Sequence, residues 1–276
     1  PWPEWDRSAN WYYSRLLYAV HGEALVNGAS TVNVAFHATK TEEDDFNRIL
    51  SLYNAVKCEG AIVIDPYVAT HERLSQFLEK IDCPSVWVDS SLKAGKKSHH
   101  VDVDNFQASF ELTEKLIGDG FEKIAYLSTG MSTTARKLRF EGYKSALEKN
   151  GIEFDERYVV SPGSDTYVDE AGSECAGIYA ARRLEADALI LSESNMLDGM
   201  RAFCEEFPSP HLAKLLKLQI ATFDYEEKEP DPMIRYSVIQ PIEEIGRQAV
   251  KVFLSDQNTS ESVIKKVPAE IREFIS

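Results

Sequence analysis

Apolar and polar positions along the chain predict a regular succession of short strands and longer helices. Apolar side chains recur at every third or fourth position in segments 11–24, 41–56 and 70–81, and this spacing predicts helices. Uninterrupted apolar runs are typical of strands that are covered on both faces. Strands are predicted at 31–38, 61–64, 85–88, 100–103, 123–128, 158–161, 188–191, 218–223 and 237–239. Further helices are predicted at 105–118, from about 135 to a stop at Gly151, and at 170–184, 196–207 and 242–254.

The alternation of strand and helix with short loops predicts an α/β fold in which parallel sheets carry helices on both faces. Two sets of such units, each of about 100 residues, predict two lobes of ordinary domain size. Segments 263–267 and 271–274 are expected to form a terminal pair of strands. No predicted strand precedes the opening loop, and we therefore expect the native N-terminus to lie upstream of Pro1. A cleft between two lobes is the usual place for a ligand.

Charge and cysteine content limit the classes of function. The formal net charge is -15 at pH 7, whereas binding of nucleic acid depends on Lys and Arg that neutralise phosphates. We therefore do not expect this polypeptide to bind DNA unaided. No apolar run approaches the roughly 20 residues of a membrane-spanning helix, and no signal peptide pattern opens the chain. The widely spaced cysteines lack zinc-ligand spacing and indicate reduced thiols in a cytosolic protein, with disulfide pairing of two of them as the alternative.

Polar residues follow four of the predicted strands directly. They are Asp89, Asp104, Asp224 and Gln240. Ligands of open parallel sheets bind beyond the carboxyl ends of the strands, so these positions predict a binding site. The alternative for any single residue is that it caps the next helix. That alternative fits Asp104, because Asn105 is predicted to begin and cap the helix that runs to Gly118.

Arg139 is a candidate binding residue of a different kind. It follows strand 123–128 in the first turns of the next helix, where a side chain can reach a ligand at the end of the sheet. The alternative is a surface arginine that pairs with Glu141 or Glu148. The strand-end residues favour the first interpretation, because they supply acceptors for the same ligand.

Three consecutive aromatic residues open the first predicted helix. Tyr12 is in phase with Leu16 and could belong to the core, but Trp11, Tyr12 and Tyr13 cannot all face one side of a helix. At least one of them is therefore expected to face the cleft. Aromatic rings stack on the apolar faces of a polyhydroxylated ring, and charged side chains bind its hydroxyl groups. The pattern predicts a sugar or sugar-like ligand.

Several short motifs occur in order along the chain. They are Asn10-Trp11-Tyr12-Tyr13, the strand that ends at Asp89, the pair Asp104-Asn105, the helix segment Arg139-Phe140-Glu141-Gly142-Tyr143 with Ala146-Leu147, the strand that ends at Asp224, and Gln240-Pro241-Ile242 with Gly246 and Ala249. These motifs resemble those of the LacI/GalR family of transcription regulators. Each motif alone is short and common. Their order and spacing together make the chain similar to the effector-binding core of that family.

The resemblance implies the type I fold of periplasmic binding proteins, with two Rossmann-like lobes. It implies an amino-terminal lobe of residues 1–102 with about 241–262, and a carboxy-terminal lobe of 103–240 with about 263–276. It also implies a ligand site without metal or cofactor. Its residues would be Asn10, Tyr12, Tyr13, Asp89, Arg139, Tyr167, Glu193, Asp224 and Gln240.

Three positions depart from the family pattern. Glu193 stands where the family usually has a ligand-binding asparagine, so the site either favours a ligand with more donors or Glu193 turns away. Position 90 is Ser, where sugar-binding relatives often have Arg. The loop length around Tyr167 leaves its match to the family's aromatic residue loose. These departures concern the identity of the ligand and not the fold.

The function implied by the resemblance is that of a cytoplasmic regulator. A small effector, expected to be a carbohydrate, would change the angle between the lobes of a homodimer, and operator DNA would be bound by a helix-turn-helix domain upstream of this chain. A solute-binding protein of a sugar transport system is the alternative, since it shares the fold. An enzyme is not expected, because the chain has no G-x-S-x-G, G-x-G-x-x-G or Walker motif.

Overall fold

The structure is a computed structural model and describes residues 7–34, 42–64, 68–89, 98–162, 168–227, 231–255 and 262–274. The helices are α1 (Arg7–Val26), α2 (Glu42–Val56), α3 (Val68–Lys80), α4 (Asn105–Gly118), α5 (Thr134–Lys149), α6 (Val168–Ala181), α7 (Met196–Glu206), α8 (Pro210–Leu215) and α9 (Ile242–Ser255). The strands are β1 (Ala61–Ile64), β2 (Ser85–Val88), β3 (Ser98–Val103), β4 (Ile124–Leu127), β5 (Val159–Val160), β6 (Ala188–Leu191), β7 (Gln219–Phe223), β8 (Ile234–Ile239), β9 (Ile264–Val267) and β10 (Glu270–Glu273). In these ranges, no helix is long and apolar enough to cross a membrane.

The chain divides into two compact units, and each contains one sheet. The first unit comprises Pro1–Val103 and Ile242–Val267, and the second comprises Asp104–Pro241 and Pro268–Ser276. The sheet of the first unit has the order β1-β2-β3-β9, and all of its strands are parallel. The sheet of the second unit has the order β10-β8-β7-β6-β4-β5, in which β10 alone is antiparallel. The predicted α/β fold with parallel sheets is confirmed.

The first unit is held together by a buried sheet and two helices that pack closely. Every residue of β2 and β3 is buried, and α9 contacts both strands. α9 also packs against α1 at Gly246, where a Cβ atom would lie 2.8 Å from the Cβ of Ala19 and 2.9 Å from the carbonyl oxygen of Leu16. Because Gly246 has no side chain, the two helix backbones approach closely. This contact between α1 and α9 buries the apolar stripe of α1.

The sheet of the second unit separates two apolar cores. Alternate side chains of β4 point to opposite faces, so that Ala125 and Leu127 join one core while Ile124 and Tyr126 join the other. Helices α6, α7 and α8 cover the first face, and α4 and α5 cover the second. Strands buried on both faces explain the uninterrupted apolar runs in the sequence.

The four cysteines are all free thiols, and three of them are buried. Burial raises the pKa of Cys83 to about 11 and that of Cys175 to about 12. Only the thiolate is a good nucleophile, so these two side chains act as small apolar groups of the core.

The structure differs from the sequence prediction at both ends of the chain. Residues 31–34 of the predicted strand 31–38 are not in a strand, and 35–38 lie outside the described residues. The expected terminal pair is wrong, because β9 pairs with β3 in the first sheet and β10 with β8 in the second. Residues 264–267 thus belong to the first unit and not to the carboxy-terminal lobe, for which about 263–276 is predicted. An apolar pattern identifies a strand but does not determine its partner.

Two local predictions also need correction. Asp104, and not Asn105, caps α4, because its side chain accepts a hydrogen bond from the backbone N–H of Gln107. The short helix α8 was missed. Its 6 residues are too few to show a periodic pattern. Ser209 at the N-cap and Pro210 at the first helical position nevertheless mark its start.

We predict that Gly142→Ala destabilises the second unit by about 2–3 kcal/mol, because overpacking at a backbone contact cannot relax by rotamer change. A Cβ at Gly142 would lie 2.3 Å from the carbonyl oxygen of Phe106 and 2.9 Å from the backbone nitrogen of Phe110. Gly118→Ala is the matched control, since no atom lies within 4 Å of its added Cβ. Urea unfolding of both variants is the measurement, and equal stability of the two would contradict the prediction.

Candidate functional site

The polar residues of the second unit gather at the carboxyl ends of its parallel strands. We call this group the Arg139 cluster: Asn105, Arg139, Ser192, Asp224 and Gln240. Ser192 follows β6, Asp224 follows β7 and Gln240 follows β8, whereas Asn105 and Arg139 come from α4 and α5. Because neighbouring strands end at the same edge of the sheet, residues that are far apart in sequence lie together there.

Arg139 is buried, with 4% of its surface exposed. Its Nε donates to Oδ1 of Asn105 at 2.9 Å, and its Nη1 donates to the carbonyl oxygen of Ser192 at 2.8 Å. The guanidinium carbon lies 3.9 Å from the ring centre of Phe223, which is a close cation–π contact. The alternative that Arg139 is a surface residue paired with Glu141 or Glu148 is therefore wrong.

Asp224 has one oxygen that is bonded and one that is not. Its Oδ2 accepts a hydrogen bond from Nε2 of Gln240 at 2.6 Å, whereas the buried Oδ1 has no partner among the described residues. Burial raises the pKa of Asp224, and the charge of Arg139 and the bond from Gln240 offset this rise only in part. A buried acceptor without a donor is destabilising, so the arrangement favours a ligand that supplies one.

Glu193 lies beside the cluster, but its carboxylate is already occupied. Oε1 accepts from Nε of Arg136 at 2.8 Å, and Oε2 accepts from the hydroxyl groups of Thr129 at 2.7 Å and Ser192 at 3.0 Å. Burial alone would raise the pKa of Glu193, but the charge of Arg136 and these bonds outweigh it and hold the pKa below its ordinary value. Glu193 is therefore ionised and paired within the protein.

The first unit carries a smaller group at the end of β2. The hydroxyl of Tyr12 donates to Oδ2 of Asp89 at 2.5 Å, and the rings of Tyr12 and Tyr13 pack edge to face at 5.4 Å. Both tyrosines are half-buried. Trp11 is more exposed, and Arg15 covers one face of its ring. The expectation that the three aromatic residues divide between different faces of α1 agrees with this arrangement.

Asp89 and Asp224 share an unusual backbone conformation. Each directly follows a strand, and each has φ of 60° in the left-handed region. That region costs a residue other than glycine of order 1–2 kcal/mol, and Asp is one of the residues that adopts it most readily. Such strain at a strand end is typical of functional sites, because it directs a side chain away from the run of the strand.

Residues 8–172 match the family model described as periplasmic binding proteins and sugar binding domain of LacI family. The match covers more than half of the chain. The chain belongs to this family. The resemblance to the effector-binding core of LacI/GalR regulators, first recognised from short motifs, is thereby confirmed.

Individual relatives of this LacI-family chain are transcriptional regulators. The HTH-type transcriptional regulator AscG of Escherichia coli is 26% identical over 196 residues, which cover 70% of this chain and 56% of AscG. CelR of Thermobifida fusca is 28% identical over 200 residues, which cover 68% of this chain and 54% of CelR. The chain thus spans just over half the length of these two curated relatives.

Solved structures show the same fold. A CelR–cellobiose complex superimposes with a TM-score of 0.77 at 19% identity, covering 95% of this chain and 77% of that one. A LacI family transcriptional regulator from Enterococcus faecium with bound ribose has a TM-score of 0.73 at 18% identity, covering 96% and 94% of the two chains. These similarities confirm the periplasmic-binding-protein architecture of type I.

The predicted site residues fall into three groups. Arg139, Asp224 and Gln240 lie together in the second unit, with Glu193 at their edge, while Tyr12, Tyr13 and Asp89 lie together in the first. Tyr167 lies outside the described residues, and so does Ser90, which is not a predicted site residue but one of the departures from the family pattern. Asn10 is in α1, but its side chain is not among those described. The role of these residues in binding a ligand stays a prediction.

Several residues that shape the Arg139 cluster were not predicted from the sequence. Asn105 was interpreted as a helix cap, although it is 4% exposed and its side chain bonds Arg139. Ser192 contributes through its backbone carbonyl, which no sequence motif reveals. Arg136 carried a usable signal, since it precedes Arg139 by three positions and therefore shares a face of α5 with it.

We predict that Asp224→Asn stabilises the unliganded protein at neutral pH by about 0.5–1 kcal/mol. The pKa of Asp224 is raised on folding, so at a pH above the ordinary carboxyl pKa the ionisation of this side chain destabilises the folded state. An amide does not ionise and avoids this cost. Asn also tolerates a positive φ. The gain should disappear in acid, where the carboxyl group is protonated in both states.

Urea unfolding at neutral and acidic pH measures this effect. Asp155→Asn is a control of opposite sign, because a hydrogen bond from Arg157 lowers the pKa of Asp155 and its ionised form favours the folded state. A gain from Asp224→Asn that persisted in acid would contradict the assignment of its cause to ionisation.

Proposed function

We propose that this chain is the effector-sensing core of a LacI-type transcriptional regulator and that it binds a sugar or a sugar-like small molecule. The observation that supports this most directly is that one buried cluster contains both the guanidinium of Arg139 and an oxygen of Asp224, Oδ1, that has no partner among the described residues. Within the described residues, the bonds of Arg139 use Nε and Nη1, so Nη2 remains as a donor. A hydroxyl group can donate to Asp224 and accept from Arg139 at once.

The surrounding groups support a carbohydrate in particular. Gln240 holds the second oxygen of Asp224, and the ring of Phe223 holds the guanidinium, so donors and acceptors are fixed before a ligand arrives. In the first unit, Asp89 and the rings of Tyr12 and Tyr13 combine a charged acceptor with aromatic surface. We propose that these three residues also contact the effector. Cellobiose and ribose in the related structures support the same class of ligand.

The regulator is favoured over a solute-binding protein by the relatives. AscG and CelR are HTH-type transcriptional regulators, and the ribose operon repressor of Escherichia coli is 23% identical over 90% of this chain. These relatives are regulators and not enzymes. We propose that the chain has no catalytic function, that it acts in the cytoplasm, and that its protein binds operator DNA through a helix-turn-helix domain. A ligand-driven change of lobe angle stays a prediction from the family resemblance.

We expect a binding sugar to stabilise the protein by about 2.7 kcal/mol at 100 times its Kd. The test is a thermal-shift screen against cellobiose, ribose, sugar acids and purines. Arg139→Ala should abolish the shift, measured against the unliganded midpoint of the same variant. Arg157→Ala is the matched control, because Arg157 is an exposed arginine whose side chain pairs with Asp155. An undiminished shift in Arg139→Ala would place the ligand elsewhere.

The exposed face of α1 supports the proposal of a homodimer. Trp11, Tyr18 and Leu25 are spaced seven residues apart, so they lie on one face of the helix, and 42%, 79% and 75% of their surfaces are exposed. Val26 adjoins this stripe and is 83% exposed. Seven-residue spacing suits packing against an identical helix, because a two-fold axis brings the same stripe of both copies together.

We predict that Tyr18→Glu converts the dimer into a monomer, because a charge would be buried at the centre of the stripe. Size-exclusion chromatography with light scattering measures the molar mass. Phe207→Glu is the control, since Phe207 is an exposed aromatic residue of the second unit and 52% of its surface is accessible. A wild-type protein that is monomeric at micromolar concentration would end this proposal, as would a dimer that Tyr18→Glu leaves intact.

A further inference from the structure

The carboxylate of Glu193 occupies a position where a ligand contact was expected, yet it faces the protein. Oε1 is held by Arg136, and Oε2 is held by two hydroxyl groups, those of Thr129 and Ser192. The side chains of Arg136 and Glu193 are 17% and 24% exposed, so their ion pair is only partly screened by water. Because three donors already occupy these oxygens, Glu193 has little capacity left to bind a ligand.

The same contacts join three elements that flank Arg139. Thr129 follows β4, Arg136 lies in the first turn of α5, and Ser192 and Glu193 follow β6. The backbone N–H of Ser192 donates to the carbonyl oxygen of Leu127 at 2.8 Å, which ties the ends of β4 and β6 together. The segment after β6 therefore cannot move without breaking the bonds of Glu193.

Arg139 depends on that segment for one of its hydrogen bonds. Its Nη1 donates to the carbonyl oxygen of Ser192, the residue directly before Glu193. Arg136 and Arg139 also lie one turn apart on the same face of α5. The pair of Arg136 and Glu193 thus holds both the helix that carries Arg139 and the carbonyl group that orients it.

We infer that Arg136 and Glu193 are positioning residues that fix the guanidinium of Arg139 for its ligand, and that Glu193 is not itself a ligand contact. This inference deepens the proposed function and rests on it, because Arg139 is the residue that would bind the effector. It also assigns a role to the departure from the family pattern at position 193. Selectivity for the ligand would then lie with Arg139, Asp224 and Gln240.

A double-mutant cycle in the ligand-free protein tests this positioning. The variants are Glu193→Gln, which keeps the shape and removes the charge, Arg136→Met, and the two combined. With 15N-labelled arginine, NMR measures the solvent exchange of the Nε proton of Arg139, which is bonded to Asn105. We expect each single change to accelerate this exchange about tenfold. That factor is at the lower end of the effect expected when a hydrogen bond to a charged group is lost. The combined variant should exchange no faster than either single one.

Glu243→Gln is the matched control for this cycle. It removes the charge from a comparable pair, because Glu243 accepts from Nε of Arg15 at 2.6 Å in the first unit. We expect it to leave the exchange of Arg139 unchanged. Unchanged exchange of Arg139 in Glu193→Gln and Arg136→Met would overturn the inference, and so would an equal acceleration in Glu243→Gln.

Binding of a sugar identified by the thermal-shift screen provides the second readout. If Glu193 acts through its pair with Arg136, Glu193→Gln weakens binding in the wild-type background and has no further effect in Arg136→Met. A loss that persists in Arg136→Met would show direct contact with the ligand and overturn the inference. If no sugar binds, the proposed function fails, whereas the exchange measurement on Arg139 still decides whether Arg136 and Glu193 position it.

Discussion

The second unit depends on the burial of one positive charge. The guanidinium of Arg139 is almost wholly removed from water, which is costly unless protein groups replace the contacts that water would make. The protein meets this demand with an amide from α4, a backbone carbonyl after β6 and the ring of Phe223 at the end of β7. Three elements must therefore hold their positions for one side chain to be stable, and the same three elements shape the candidate site.

Close packing of helices makes that arrangement possible. Gly142 brings α5 against α4 so tightly that a Cβ would meet the carbonyl oxygen of Phe106. Asn105 and Phe106 are neighbours at the start of α4, so the approach that Gly142 permits also brings the amide of Asn105 to Arg139. Asp224 adds a carboxylate whose burial raises its pKa, so its charged form destabilises the folded protein. A ligand that donates a hydrogen bond to this carboxylate offsets that destabilisation at the candidate site.

Most of the fold could be predicted from the sequence, because its signals are local. Residues 85–88 and 188–191 were predicted as strands at the bounds that the structure has, since strands buried on both faces require continuous apolar residues. The partners of β9 and β10 could not be predicted. A few residues around Pro268 carry the chain from one unit to the other, and nothing in the apolar pattern of either strand specifies the sheet that it joins.

The candidate site was likewise predictable in part from local sequence signals and in part not. The sequence by itself determined that Arg139, Asp224 and Gln240 follow strands of a parallel sheet, because strand ends are visible as breaks in an apolar run. Only the tertiary structure decided that Asn105 bonds Arg139 instead of capping α4, and that Arg136 occupies the carboxylate of Glu193. Those contacts span 34 and 57 positions of the chain, and they depend on distances between side chains that no spacing along a single helix or strand specifies.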